Sequence, residues 1–190
     1  RGPSGATCAD ASPRASQGLC VATPVEIAAR LLRAELPALA DRLAEIRTAA
    51  VETVGVALPT AQLSLPPLAG LIGRNEAFYS AVTRDTVPNS AYRGFTFHFR
   101  PGLLDEEKRI TRIAEVLGIS HGSLGAENVV SKLNQLPALR VGHDGLIRAV
   151  DDLLAKSRLA LTGNYFTGVA IEDCVTRSRA EFARLRSEGL

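Results

Sequence analysis

The chain has 190 residues, 46% of them hydrophobic, and a mass of 20.1 kDa, enough for one sizeable core or for a domain with part of another. Lys and Arg number 22 against 20 Asp and Glu, a net charge of +2, and no basic run is interleaved with aromatics, which excludes the electrostatic footprint of a nucleic-acid binder. No apolar run approaches the roughly 18 to 20 residues that a membrane-spanning helix needs, so the chain is expected to be soluble and cytoplasmic, with membrane-peripheral attachment left open.

The sequence has no methionine and begins at Arg1, which reads as a fragment or a processed piece. Residues 1–17, "RGPSGATCADASPRASQ", are small and polar without apolar periodicity and are expected to lack stable structure. "GLCVATP" is a short apolar run ended by Pro24, which suits a buried strand leading into a helix with proline near its first turn. Ile27, Ala28, Leu31 and Leu32 then share a helix face. Pro37 separates this helix from a second over about 38–47, where Leu39, Leu43 and Ile46 recur at helical spacing.

Three strands are expected next, over 51–58, 78–87 and 93–101, with turns such as "PPLAG" and "PNS" between them. The third alternates cleanly: Phe95, Phe97 and Phe99 on one face, Thr96, His98 and Arg100 on the other. These predict a mostly antiparallel sheet with one apolar face. Asp105 caps the helix "EEKRITRIAEVL", which stops at Gly118, and "NVVSKL" within the ambiguous stretch 119–136 fits a strand. Asp144 is expected to cap "GLIRAVDDLLAK", whose buried face is Leu146, Ile147, Val150, Leu153 and Leu154. The end of the chain, "RLALTGNYFTGVAIEDCVTRSRAEFARL" (158–185), reads as a strand, a glycine-bounded turn and a helix. Gly163 and Gly168 permit positive φ and close approach of another molecule, and the helix start offers unpaired N–H groups to a partial negative charge. Taken alone, the segment fits a plain strand-to-helix connection as well.

Most chemical candidates read as structure. His98 fits a sheet histidine, and His121 and His143 fit loops. The three share no metal-ligand spacing, and no metal is expected. Cys8, Cys20 and Cys174 form no Cys-x-x-Cys pair and suggest buried or incidental thiols. The adjacent acids Glu106–Glu107 and Asp151–Asp152 point apart on a helix, and Ser123 and Ser157 lack a nucleophile elbow. Catalytic residues stay unassigned.

The order of segments carries more. "CVATP" before an "AARLL" helix, then strands, a helix, "LPALRVGHDGLIRAVDDLL" and "LALTGNYFTGVAIEDC" resembles the C-terminal half of the flavin-containing amine oxidase superfamily, over about residues 18–187. Within it the resemblance points to protoporphyrinogen oxidase-like FAD-dependent oxidoreductases. It implies an α/β fold: a mixed, mostly antiparallel sheet packed with helices, plus the C-terminal strand, turn and helix of an FAD-binding Rossmann-like domain. Residues 18–50 would join the FAD and substrate domains, 51–140 would form the substrate-domain sheet and helix, and 141–190 would return to the FAD domain.

FAD is the implied cofactor, with Ala22, Thr23, Pro24, Gly163, Asn164, Gly168, Val169 and Ala170 against it. Thr96 and His98 are the substrate-side candidates for a small molecule, a tetrapyrrole among the options. The dinucleotide fingerprint Gly-x-Gly-x-x-Gly is absent, so the implied partner is an N-terminal FAD-binding segment, without which the chain is expected to be inactive. Pro137, Gly142 and His143 fit the family's pattern, whereas Lys132 and Leu139 stand where aromatics are usual. Two other readings stay open: a flavin amine oxidase or desaturase with another substrate, and a non-catalytic interaction domain.

Overall fold

The computed structural model describes residues 4–7, 13–16, 18–87 and 89–187. The chain divides into two units, Arg1–Ala49 with Pro137–Leu190, and Ala50–Leu136.

The first unit opens with β1 (Ser4–Thr7) and β2 (Pro13–Ser16), an antiparallel pair. Residues 1–17 were expected to lack stable structure, and for these two segments that is corrected. A backbone ladder needs no apolar period, and Pro13 stands at the first position of its strand, where a missing N–H is tolerated. The rest of that stretch, Cys8 included, lies outside the described residues. β3 (Leu19–Val21) pairs in parallel with β9 (Leu159–Leu161), Leu19 opposite Leu159 and Val21 opposite Leu161.

Three helices pack around that pair. Pro24 precedes α1 (Val25–Leu32), which buries Val25, Ala28, Ala29 and Leu32, while Leu31 is exposed, against expectation. Pro37 does not separate the helices. It is the first residue of α2 (Pro37–Ala44), where its fixed φ suits a helix start. The third is α4 (His143–Leu154), whose N-cap is Gly142 at φ 89° and not Asp144, which sits in the first turn without a capping bond. Ile147, Val150 and Leu154 of α4 join Leu39 and Leu43 of α2 in one core, and Leu153 is exposed. The chain ends in α5 (Ile171–Ser187).

The second unit is built on β4 (Thr48–Pro59), β5 (Gly70–Ile72), β6 (Phe78–Thr83), β7 (Tyr92–Phe99) and β8 (Val129–Pro137), in the order β5-β6-β7-β4-β8. β5, β6, β7 and β4 pair antiparallel in turn. β8 runs antiparallel to β4, because Ala57 N–H donates to Asn128 O at 3.0 Å while Ala138 N–H donates to Arg47 O at 2.8 Å. β5 falls in a stretch expected to be turn. It is too short to show alternation, and Gly70 lets it pass within reach of the Ala81 carbonyl, which a Cβ would approach to 2.8 Å.

α3 (Glu106–Leu117) covers one face of this sheet. Asp105 caps it by accepting from Lys108 N–H at 2.8 Å, and Gly118 ends it at φ 67°, as the sequence predicts. Ile113, Ala114 and Leu117 meet Val54, Val56, Leu58, Phe95, Phe97 and Phe99. Phe78 stands edge-on to Phe97 and Phe99 at 5.4 and 5.9 Å between centroids. At the hairpin end, buried Arg93 binds both oxygens of Asp85, at 3.0 Å through Nε and 2.6 Å through Nη2. Its guanidinium also donates to the carbonyls of Leu65 and Pro66, tying that loop down.

Candidate functional site

β3 and β9 are parallel, so the segments that follow them leave from the same edge. Thr162 N–H donates to Val21 O at 3.1 Å, which sets Ala22, Thr23 and Pro24 beside Gly163 and Asn164. In α/β folds this edge, beyond the C-terminal ends of parallel strands, is where ligands bind. α1 starts there directly after Pro24, and α5 starts after the turn from β9. The first residue of α4 is tied to the same turn: the buried His143 donates from Nε2 to Phe166 O at 2.8 Å. Two helix N-termini, those of α1 and α5, thus follow from one strand edge, while the first turn of α4 is already bonded to the carbonyls of Arg140 and Gly142. His143, expected in a loop, is a helix residue that locks the turn.

Within the turn the two glycines serve different ends. Gly163 has φ 153°, and a Cβ there would lie 2.6 Å from Cε1 of Tyr165. The Tyr165 and Phe166 rings, 4.7 Å apart and fully buried, anchor the turn in the core. Burial pushes the Tyr165 phenol up to about 12. Arg177 of α5 lies over the Phe166 ring at 3.8 Å from its centroid. Gly168 is outside the left-handed region. Its lack of a side chain makes room for Asp173, whose Cγ a Cβ would approach to 2.6 Å.

Asp173 accepts from Ala170 N–H at 3.2 Å, half of a capping box. The first bond continuing into α5 is Cys174 N–H to Ala170 O, at 3.3 Å. The amides of Ile171, Glu172 and Asp173 therefore have no acceptor among the described residues. With Val169 and Ile171 exposed beside them, they offer an apolar ledge with aligned donors. The Asp173 carboxylate nearby makes that ledge better suited to a neutral or partly charged carbonyl than to a full anion. The pyrimidine edge of an isoalloxazine presents such carbonyls, so the residues fit a flavin.

Thr96 and His98 are neighbours on β7 in the second unit, on the sheet face opposite the phenylalanines, where Ser80 Oγ lies 3.2 Å from His98 Nδ1. They border a depression of about 600 Å³ that Gly55, Ala57 and Gly94 also line. Cys20 is exposed and Cys174 half-buried, so of the two readings given to these thiols, buried or incidental, the first is corrected for both. Among the described residues no three His, Cys, Asp or Glu side chains come together as metal ligands, and no helix is long and apolar enough to cross a membrane. Sequence reasoning missed Asp173 and placed His143 in a loop without its partner. Asp173 was legible, three places after Ala170 at capping-box spacing. The bond from His143 to Phe166 joins positions 23 apart and leaves no local signal.

No family model matches the chain. It is 27% identical over 195 residues to a coproporphyrinogen III oxidase of Propionibacterium freudenreichii subsp. freudenreichii, covering 94% of this chain and 37% of that protein. In fold it is similar to reduced UDP-galactopyranose mutase, with a TM-score of 0.64 and 14% identity over 98% of this chain and 45% of the other. It is also similar to the PF1083 protein of Pyrococcus furiosus, with a TM-score of 0.55 and 8% identity, covering 96% of this chain and 44% of the other. The chain thus spans less than half the length of these proteins. The mixed α/β fold expected from the sequence is the one observed, and these similarities bear out the resemblance to the C-terminal half of FAD-dependent amine oxidase-like proteins.

Proposed function

We propose that this chain is part of an FAD-dependent oxidoreductase of the coproporphyrinogen or protoporphyrinogen oxidase type. The observation that carries the reading is the parallel pairing of β3 with β9, which sets Ala22–Pro24 beside Gly163 and Asn164 at the C-terminal edge, together with the free amides at the start of α5. The sequence similarity to a coproporphyrinogen III oxidase supports it and favours a tetrapyrrole substrate over an amine. The isoalloxazine supplies the redox chemistry when bound, taking up a hydride as the substrate loses that hydride and a proton.

The chain's own residues hold and orient. The amides of Ile171 and Glu172 would bond the pyrimidine carbonyls and favour charge developing there. Gly163 and the His143–Phe166 bond keep the turn in place, and Val169 offers the ring an apolar contact. In this reading residues 18–50 join the cofactor and substrate domains, 51–140 form the substrate-domain sheet and helix, and 141–190 return to the cofactor domain. The pyrophosphate of FAD would sit on a glycine fingerprint supplied by an N-terminal segment.

The test is co-expression of the chain with a strand–helix segment bearing Gly-x-Gly-x-x-Gly. The pair should purify as a yellow complex with about one FAD, and the chain alone should be colourless after dialysis. A colourless, stably associated pair would contradict the proposal.

A further inference from the structure

The polarity of α5 is reversed. A helix on the surface of a folded unit ordinarily turns its apolar stripe inward. The side chains that α5 turns inward are Arg177, Glu181 and Arg184, and they serve the backbone of β9 on the side away from β3. Arg177 Nε donates to Leu161 O at 3.1 Å and Arg184 Nη2 to Leu159 O at 2.6 Å, while the Glu181 carboxylate accepts from Leu161 N–H at 3.2 Å. Glu181 also pairs with both arginines, and Arg177 reaches Asp151 of α4.

With the inward face committed to polar contacts, the apolar residues face out. Ile171, Val175, Ser178 and Phe182 fall on one stripe at helical spacing, and Ile171, Val175 and Phe182 are 84%, 37% and 63% exposed. With Cys174 and Arg179 they line a shallow hollow of about 370 Å³. The Ser178 hydroxyl is satisfied within the chain, bonded to Cys174 O at 2.8 Å and Thr162 Oγ1 at 2.6 Å, so it brings no unmet polar group to the stripe. Glu172 and Arg179 lie on one flank of it, the acid near the start of the helix and the base beyond its middle. Neither makes an ion pair among the described residues. Arg186, further along, folds over the Phe182 ring at 5.8 Å from its centroid.

We infer that α5 pairs with α5 of a second copy of this chain, antiparallel about a twofold axis midway between Val175 and Ser178. The stripe is symmetric in position about that point. Reversal sets Ile171 against Phe182 of the partner subunit and Val175 against Ser178 of the partner subunit, whose small side chain leaves room for the valine. A twofold axis across two facing helices keeps each flank beside the same flank of its mate and reverses its direction. Glu172 of each copy therefore meets Arg179 of the partner subunit, twice in the dimer. A parallel pair would set acid against acid and base against base. The stripe and its charges thus complement their own reversed copy, which selects a second copy as the occupant. One helix pair covers less than the roughly 1,200 Å² of a stable complex, so the dimer is a weak one. The amides at the start of α5 point along its axis and stay free in such a pair.

The experiment is sedimentation velocity of the 190-residue chain over a series from micromolar to millimolar concentration, with no flavin present, so that its outcome is independent of the proposed redox function. The average mass should rise from 20.1 kDa towards twice that value. Val175→Glu and Phe182→Glu should each raise the dissociation constant of the dimer at least about tenfold. Ile72→Glu, which removes an apolar side chain 85% exposed on β5, should leave it unchanged. Glu172→Arg and Arg179→Glu should each weaken the dimer about three- to tenfold, and the chain carrying both substitutions should regain the affinity of the unmodified one. A mass of 20.1 kDa at every concentration overturns the inference, as does a dimer that Val175→Glu and Phe182→Glu leave intact. A doubly substituted chain that associates no more tightly than the single variants overturns the antiparallel pairing and the inference with it.

Discussion

Gly168 shows how one residue serves geometry. Its missing side chain is filled by the Asp173 carboxylate, which holds the Ala170 N–H and so shapes the start of α5. Gly168→Val should push Asp173 aside and release that cap, at a cost of about 0.5 to 2 kcal/mol. Urea unfolding should register that small loss, and flavin retention in the co-expressed complex should fall while far-ultraviolet dichroism stays the same. His143 acts through packing: His143→Ala would strand the Phe166 carbonyl in the core, costing about 1 to 3 kcal/mol.

Asp85 links a residue to pH. The Arg93 guanidinium holds its carboxyl below the usual carboxylate range. A carboxylate with a depressed folded pKa stabilises the fold fully above its unfolded value of about 3.9, and that contribution disappears as pH falls through the folded value. Stability measured by urea midpoint should therefore drop more steeply below about pH 4 for the unmodified chain than for Asp85→Asn. At neutral pH the variant should be the weaker by about 3 to 5 kcal/mol, because a buried guanidinium loses its counter-ion. Equal midpoints at neutral pH would contradict this.

At the scale of elements, the alternation over 95–99 was fully legible because a strand buried on one face writes its period into the sequence. Phe95, Phe97 and Phe99 are 2%, 0% and 1% exposed, and the residues between them are on the open side. Truncating any one to Ala should cost about 3 to 5 kcal/mol in denaturant unfolding, and Thr96→Ala should change stability little. Helix α3 was equally readable from its cap and its stop. Two elements were not: β5 is too short for a period, and the start of α4 depends on Gly142 and on a contact with residue 166. β8 was read in part, from "NVVSKL", since the exposed positions of this edge strand blur its alternation and its bounds. The 1–17 stretch hid β1 and β2 for a related reason: backbone pairing among small residues has no hydrophobic signature.

At the scale of the molecule, the chain's order of segments announced the class of fold, while the candidate site was legible only in part. The segments 22–24 and 163–170 could be picked out, but their adjacency is a product of the parallel pairing of β3 with β9, which no local pattern encodes. In the proposed function this adjacency makes a flavin site whose donors are the first amides of α5. A few hydrogen bonds worth about 0.5 to 1.5 kcal/mol each must overcome an association cost of at least about 4 kcal/mol. The isolated chain should then bind a flavin only weakly, at dissociation constants near the millimolar range. The most direct measurement is a titration of the isotopically labelled chain with flavin mononucleotide, followed through backbone amide resonances. Weak, saturable shifts should appear, concentrated at residues 22–25 and 163–173 and largest at Ile171 and Glu172. Shifts confined to other residues, no shifts at millimolar flavin, or tight stoichiometric retention by the lone chain would contradict the proposed site.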